Sequence, residues 1–154
     1  RYGLRRYNDS FAERNTNFFT LGPRVDYRAM EWLTVTLTYL YERGLADGHK
    51  DTQFADDVSY YLHMVSAGTE FRLNRQWDLG FTYIHRRKTF TSGLAGDTHV
   101  GRFDATHQGI AELRYHMSAA ATVMLSYQYG QRTSTNVLRD FQDSIFSIGG
   151  QYRF

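Results

Sequence analysis

From Trp32 the chain reads WLTVTLTYLYERG, in which Leu33, Val35, Leu37, Tyr39 and Tyr41 alternate with Thr34, Thr36, Thr38, Leu40 and Glu42. A period of two over that length predicts a β-strand with one apolar face, because successive side chains of a strand point to opposite sides. NFFTLGPRVDYR repeats the pattern, with Phe19, Leu21, Val25 and Tyr27 against Thr20, Gly22, Arg24, Asp26 and Arg28. In WDLGFTYIHR, Trp77, Leu79, Phe81 and Tyr83 oppose Asp78, Gly80, Thr82 and Arg86, with Ile84 interrupting the polar row. GIAELRYH sets Ala111, Leu113 and Tyr115 against Glu112, Arg114 and His116, and ATVMLSYQYG sets Val123, Leu125, Tyr127 and Tyr129 against Thr122, Ser126 and Gln128. SIFSIGGQYRF places Phe146, Ile148, Tyr152 and Phe154 on one face and Ser147, Gly149, Gln151 and Arg153 on the other. SYYLHMVSAGTEFRL alternates from Val65 to Leu73 and is ambiguous before it, and RYGLRRY is short and weakly patterned. Pro23 falls inside a strand, where the missing ladder donor predicts a bulge or a local edge.

The connections alternate between two kinds. Short ones fall at 29–31, 74–76 and 117–120, and long polar ones at roughly 8–16, 44–57, 88–106 and 131–143. Long and short connections in strict alternation predict an all-β, antiparallel, up-and-down meander of about eight strands, with every long loop at one end. No βαβ alternation and no amphipathic helix is present. One domain over 1–154 accommodates the whole chain.

Alternation does not say which face is inside. A soluble meander barrel, lipocalin-like, or a sandwich would turn the apolar set inward, whereas a membrane barrel turns it to lipid. Aromatic residues make up 16% of the chain, and their placement discriminates, because a bilayer concentrates them at its two interfaces with aliphatic residues between. Tyr27, Trp32, Trp77 and Tyr115 lie beside the short turns, and Tyr39, Tyr41, Tyr83, Tyr127 and Tyr129 beside the long loops. The opposite face carries Arg24, Asp26, Arg28, Glu70, Arg72, Asp78, Arg86, Glu112, Arg114 and Arg153. Burying so many charges in a dry core would cost several kcal/mol each, while a wet or salt-bridged lumen accepts them. The mean hydropathy of -0.54 does not oppose the membrane reading, since only every second residue of such a strand meets lipid. The predicted architecture is therefore a transmembrane antiparallel β-barrel, lined by the ten charged residues.

The ending Ser147, Gly149, Tyr152, Phe154 resembles the C-terminal assembly signal of Gram-negative outer-membrane β-barrels. That resemblance implies residence in the bacterial outer membrane, contact with its lipid and lipopolysaccharide, and reading of the last strand by the barrel-assembly machinery. It also implies periplasmic short turns and extracellular long loops. LSYQYGQRTSTN followed by a polar loop and SIGGQYRF more loosely resembles the closing strands of porin-like proteins of exopolysaccharide loci.

Charge and composition narrow the chemistry. Eighteen basic against 16 acidic residues leave a formal charge of +2, which gives no argument for nucleic acid. Cysteine is absent, so disulfides and thiolate metal sites are excluded. RYGLRRYNDS has no apolar h-region and no small-residue cleavage site, so an export signal is expected upstream or already removed. The six histidines form no close sequence pair, and no metal or cofactor is expected. His63, Ser66 and Glu70 invite comparison with outer-membrane lipid A deacylases that use Ser, His and an acidic residue, yet Ser and His three apart on a strand point to opposite faces, so no enzyme is expected. Asp47, Asp51, Asp56 and Asp57 share one predicted loop but lack calcium-loop spacing, so a solvated loop is favoured over an ion site.

The expected function is a pore or export conduit for small solutes or a polymer. The alternative is a small closed eight-strand barrel, structural or anchoring, with a salt-bridged lumen. The first segment is too short to pair with a last strand of about nine to eleven tilted residues, so further strands, or a periplasmic partner, are expected to complete the assembly.

Overall fold

The computed structural model describes residues 1–49 and 56–153. Nine strands form one antiparallel sheet: β1 Tyr2–Arg5, β2 Thr16–Leu21, β3 Arg24–Met30, β4 Leu33–Ala46, β5 Tyr60–Arg72, β6 Trp77–Phe90, β7 Phe103–His116, β8 Ala121–Ser134 and β9 Phe141–Tyr152. Their order is β1, β2, β4, β5, β6, β7, β8, β9, with β3 also paired to β4. The helical residues among those described are short 3-10 turns, Asp9–Arg14, Asp47–His49 and Val137–Arg139.

β2 and β3 are one strand broken at Gly22 and Pro23, for both lie on β4: Thr16–Leu21 against Ala46 to Tyr41, and Arg24–Met30 against Thr38 to Leu33. Pro23 has no N–H to give, but its carbonyl accepts from the Tyr39 N–H at 3.0 Å, so the ladder continues past the break. Gly22 is required there by close approach, since a Cβ would sit 2.0 Å from the Tyr39 carbonyl oxygen. The short turns have local causes as well. Asn74 Oδ1 accepts from the N–H groups of Gln76 (2.8 Å) and Trp77 (3.1 Å), and Ser118 Oγ accepts from those of Ala120 (3.2 Å) and Ala121 (3.0 Å).

The register shows two segregated faces. One row across the sheet reads Val35, Thr69, Phe81, Ala111, Tyr127, Phe146, and the adjacent residues read Thr34, Glu70, Gly80, Glu112, Ser126, Ser147 on the other side. Among the described residues no second layer covers the apolar face. Among the described residues the only buried hydrophobic side chains are Ala46, Tyr60 and Phe90, while Leu37 is 52%, Phe81 47%, Phe146 70% and Ile148 73% exposed.

One expectation changes. The strands run further than the apolar pattern suggested: β4 reaches Ala46, β6 reaches Phe90, β7 begins at Phe103 and β8 ends at Ser134. Backbone hydrogen bonds continue where both faces turn polar, a stretch that hydropathy alone reads as loop. The sheet is open, in line with the expectation that the short first segment cannot pair with the last strand: among the described residues β1 and β9 form its two ends and do not pair. With 4 residues β1 cannot match the 12 of β9. The free sides of β3 and β9 are correspondingly solvent-accessible along their length.

Replacing Gly22 with alanine should lower folding stability by about 1–3 kcal/mol, the usual cost of forcing atoms into a filled site, read as a lower denaturant midpoint. Wild-type stability in Gly22→Ala would mean that the strand does not approach Tyr39 so closely.

Candidate functional site

The polar face carries its charges in groups, each set by the two-residue repeat and the strand register. Near the short turns, His116 Nε2 lies 2.8 Å from Asp78 Oδ2, with Arg72 Nε 4.0 Å from the other carboxylate oxygen. His116 Nδ1 faces Thr122 Oγ1 at 3.0 Å, which leaves Nε2 as the N–H that Asp78 accepts. At mid-sheet Arg114 donates to Glu70 at 3.1 Å and also to Glu112, bridging β5 and β7 over the small Gly80 between them. On β3, Asp26 accepts from Arg24 Nε at 2.9 Å and from Thr36 Oγ1 at 2.7 Å. Arg28 instead reaches the Glu31 carbonyl at 3.2 Å. Arg153 lines a small cleft with Arg114 and His116.

Arg86 belongs to a different group, at the long-loop end. There Asp104 accepts two bonds from Arg102 (3.0 and 2.8 Å), one from Arg132 (2.5 Å) and one from Ser134 (2.6 Å). Glu42 accepts from Tyr60 at 2.5 Å and from Thr20 at 2.8 Å. Glu42, Lys88, Arg102, Asp104 and Arg132 were not among the expected lining residues. The signal existed in part: counting by twos from Arg86 puts Lys88 on the polar face, from Thr106 puts Asp104 there, and from Gln128 puts Arg132 there. For Lys88, Arg102, Asp104 and Arg132 it was hidden because they sat in segments read as loops, whereas Glu42 was placed on the polar side of its strand.

Above them the connections fold into a layer of carboxylates and histidines. Asp97 accepts from Ser92 Oγ (2.5 Å), from the Asp57 N–H (2.9 Å), and from the His99 backbone and Nδ1 (2.9 Å each). His99 Nδ1 is also 3.1 Å from Asp56 Oδ1, and Arg14 Nε lies 2.5 Å from Asp56 Oδ2. Asp57 holds His49 Nδ1 at 2.7 Å and accepts from the Ser59 N–H at 2.9 Å, while Ser59 Oγ accepts from the Ala46 N–H at 2.8 Å. Burial alone would push the Asp97 carboxyl up, but the bonds from Ser92, Asp57 and His99 outweigh it and hold the group below its ordinary value. Asp57 behaves likewise, with Ser59 and His49 overcoming the effect of burial.

Asp56, Asp97 and His99 bring their ligand atoms within 4.8 Å of one another, so these three are the residues that could hold a cation. In the present arrangement His99 Nδ1 points between the two carboxylates as a donor. The acidic loop once considered for calcium is dispersed: Asp56 pairs with Arg14 and His99, Asp57 with His49, and Asp51 lies outside the described residues. Together the loop layer, the β1–β2 region and the ends of β5 to β8 line an open cavity of about 620 Å³.

The aromatic residues expected at the two interfaces, Tyr27, Trp32, Tyr39, Tyr41, Trp77, Tyr83, Tyr115, Tyr127 and Tyr129, fall on or beside the apolar face. Trp32 stacks on Phe71 with ring centroids 6.2 Å apart, and Trp77 lies against Tyr115 at 4.5 Å. Tyr60 does not join them: it turns to the polar face and covers Gly44. His63 sits on the apolar face, with Nδ1 2.8 Å from Tyr39 Oη, while Ser66 and Glu70 lie on the polar face, so no Ser–His–acid constellation forms from them. His85 and His107 are brought together across β6 and β7, with ring centroids 4.6 Å apart, a pairing that sequence spacing does not show. Of the expected assembly signal, Ser147 and Gly149 lie on the polar face opposite Ser126 and Met124, Tyr152 on the apolar face, and Phe154 lies outside the described residues.

The depressed Asp57 and Asp97 carboxyls bind protons less tightly in the folded state than in the unfolded one. Their contribution is therefore fully present above the unfolded value of about 4 and is lost as pH falls through the lower folded values. The melting temperature should drop steeply in that acid range, and Asp97→Asn should start lower at neutral pH and fall less. Parallel curves for the two proteins would exclude this role for Asp97.

Comparisons of this chain with protein-family models, with curated proteins and with solved structures find no match.

Proposed function

We propose that this chain forms the wall of an outer-membrane β-barrel, completed by further strands, whose polar face lines an aqueous conduit for small solutes or a polymer. The observation that carries this reading is an apolar face that no layer of the described residues covers, backed by a face of paired charges. Large exposed apolar patches are rare on soluble monomers and mark contact with lipid or another protein. On the outward face Leu37, Val65, Ala111 and Leu125 lie between the rings Trp32, Phe71, Trp77 and Tyr115 at the short-turn end and Tyr39, Tyr83 and Tyr127 about halfway along their strands, an aliphatic band bordered by aromatic residues of the kind that a bilayer selects.

Dimensions agree. Fourteen residues, the length of β4, β6, β7 and β8, extend about 46 Å at ~3.3 Å each, or about 33 Å across a bilayer at ~45° tilt. That exceeds the apolar band of ~25 Å of outer-membrane barrels, leaving the polar strand ends outside it. The ion pairs of Arg114 with Glu70 and Glu112, and the hydrogen bond that Asp78 accepts from His116, give the polar-face charges partners.

Facing can be tested in lipid vesicles. Leu37→Arg should cost about 2–4 kcal/mol of folding stability, the penalty for arginine near the bilayer midplane, whereas Ser126→Arg, beside Glu112 on the polar face, should be tolerated. Equal effects at both positions would sink the assignment of faces. Planar-bilayer recordings of the assembled protein separate the two functional readings: ion conductance is expected of a conduit, and its absence would favour a closed structural barrel with a salt-bridged lumen.

A further inference from the structure

The cavity at the long-loop end has more positive than negative charge. Seven Arg and Lys side chains line it against three Asp. Arg14 is taken by Asp56, and Arg102 and Arg132 share Asp104. Arg5, Arg86, Lys88 and Arg139 have no carboxylate partner among the described residues.

Lys88 stands out within this group. Its Nζ lies 4.0 Å from the Tyr60 ring centroid and 4.4 Å from that of Phe90, two side chains that are themselves buried. Two aromatic faces can hold an ammonium, but they accept none of its three N–H bonds in the plane where an oxygen would. The charged groups acting on it are Arg5, Arg102 and Arg132 against Asp104 alone. Removing an ammonium from water in such surroundings is unfavourable unless an anion joins it. A second, independent feature points the same way: the Nε of Arg132 is buried with no acceptor.

The register places these donors side by side. Lys88 and Arg86 are two residues apart on the polar face of β6, and Arg86, Thr106 and Arg132 lie in one row across β6, β7 and β8. We propose that this cavity is an oxyanion-binding site, in which Lys88, Arg86 and Arg132 hold a phosphate, sulfate or carboxylate group, free or carried on a larger anionic solute. Charge-assisted hydrogen bonds from a cluster of cations, with aromatic walls excluding water, are the means by which proteins hold such groups. The inference stands on the cavity alone and is independent of whether the polar face conducts ions.

The test is calorimetric titration of the full chain in zwitterionic detergent at low ionic strength, with inorganic phosphate, sulfate, glucuronate and, as the uncharged probe, glucose. Saturable binding of at least one anion and none of glucose is expected. Phosphate or sulfate alone would identify a free inorganic oxyanion, and glucuronate alone a carboxylate on a saccharide. Binding of both would show that the oxyanion group suffices. Lys88→Gln and Arg86→Gln should each weaken binding about tenfold or more, the scale of one lost charge-assisted bond, and Arg75→Gln, in the exposed turn at the other end, should not. Should Lys88→Gln fail to fold, Arg86→Gln decides alone. No saturable binding of any anion, or wild-type affinity in the folded Lys88 and Arg86 variants, overturns the proposal.

Discussion

The interaction on which everything else rests is the backbone ladder that joins β4 to β9 without interruption. From Leu33 onward each long strand is bonded to its neighbours over nearly its whole length. That ladder satisfies the main-chain polar groups internally, independently of what the side chains face. It also imposes a strict two-residue alternation on the side chains, so that Leu, Val, Phe and Tyr gather on one side and Glu, Arg, Asp and Thr on the other. A soluble sheet protein stacks the apolar side against a second layer. Here no such layer exists among the described residues, and the scarcity of buried hydrophobic side chains follows directly.

What burial the described residues show is concentrated at one end, and it is mostly polar. Thr16, Asp57, Ser59, Ser92, Asp97, Arg102 and Asp104 are all buried in or beneath the long connections. Such groups can be withdrawn from water because each finds partners: Asp97 has four hydrogen bonds and Asp104 four. Networks of this kind fix loop geometry through direction and charge rather than through shape. They therefore shape the mouth of the proposed conduit, and the cations left over from the pairing give that mouth its chemical character.

The break at Gly22 and Pro23 shows how a local rule and a global one are reconciled. Proline interrupts a ladder, yet here only its own donor is lost, while its carbonyl still serves Tyr39. The cost of the break is confined to the side where β1 ends and β3 has no second neighbour among the described residues. An interruption of this kind is tolerated only beside an edge.

Residues Leu33 to Tyr41, Trp77 to Tyr83 and Val123 to Tyr129 declared their strands, and the face of each side chain, in the sequence itself. The period of two is a local property, readable without knowing any partner. The broken strand at Pro23 was legible for the same reason, since the missing donor belongs to the residue. The ends of the strands were not legible, because Lys88, Asp104 and Arg132 continue the ladder in polar company, and only pairing with a neighbour distinguishes that from loop. Nor was the meeting of Asp56 with Asp97 and His99, or of Arg114 with Glu70, which join residues some 40 positions apart through the register of strands between them. Sequence by itself determined which residues are lateral neighbours' equals on a face; the tertiary structure alone decided which charges neutralise one another and which remain free, because that depends on distance in space and on a sheet whose edges stay open.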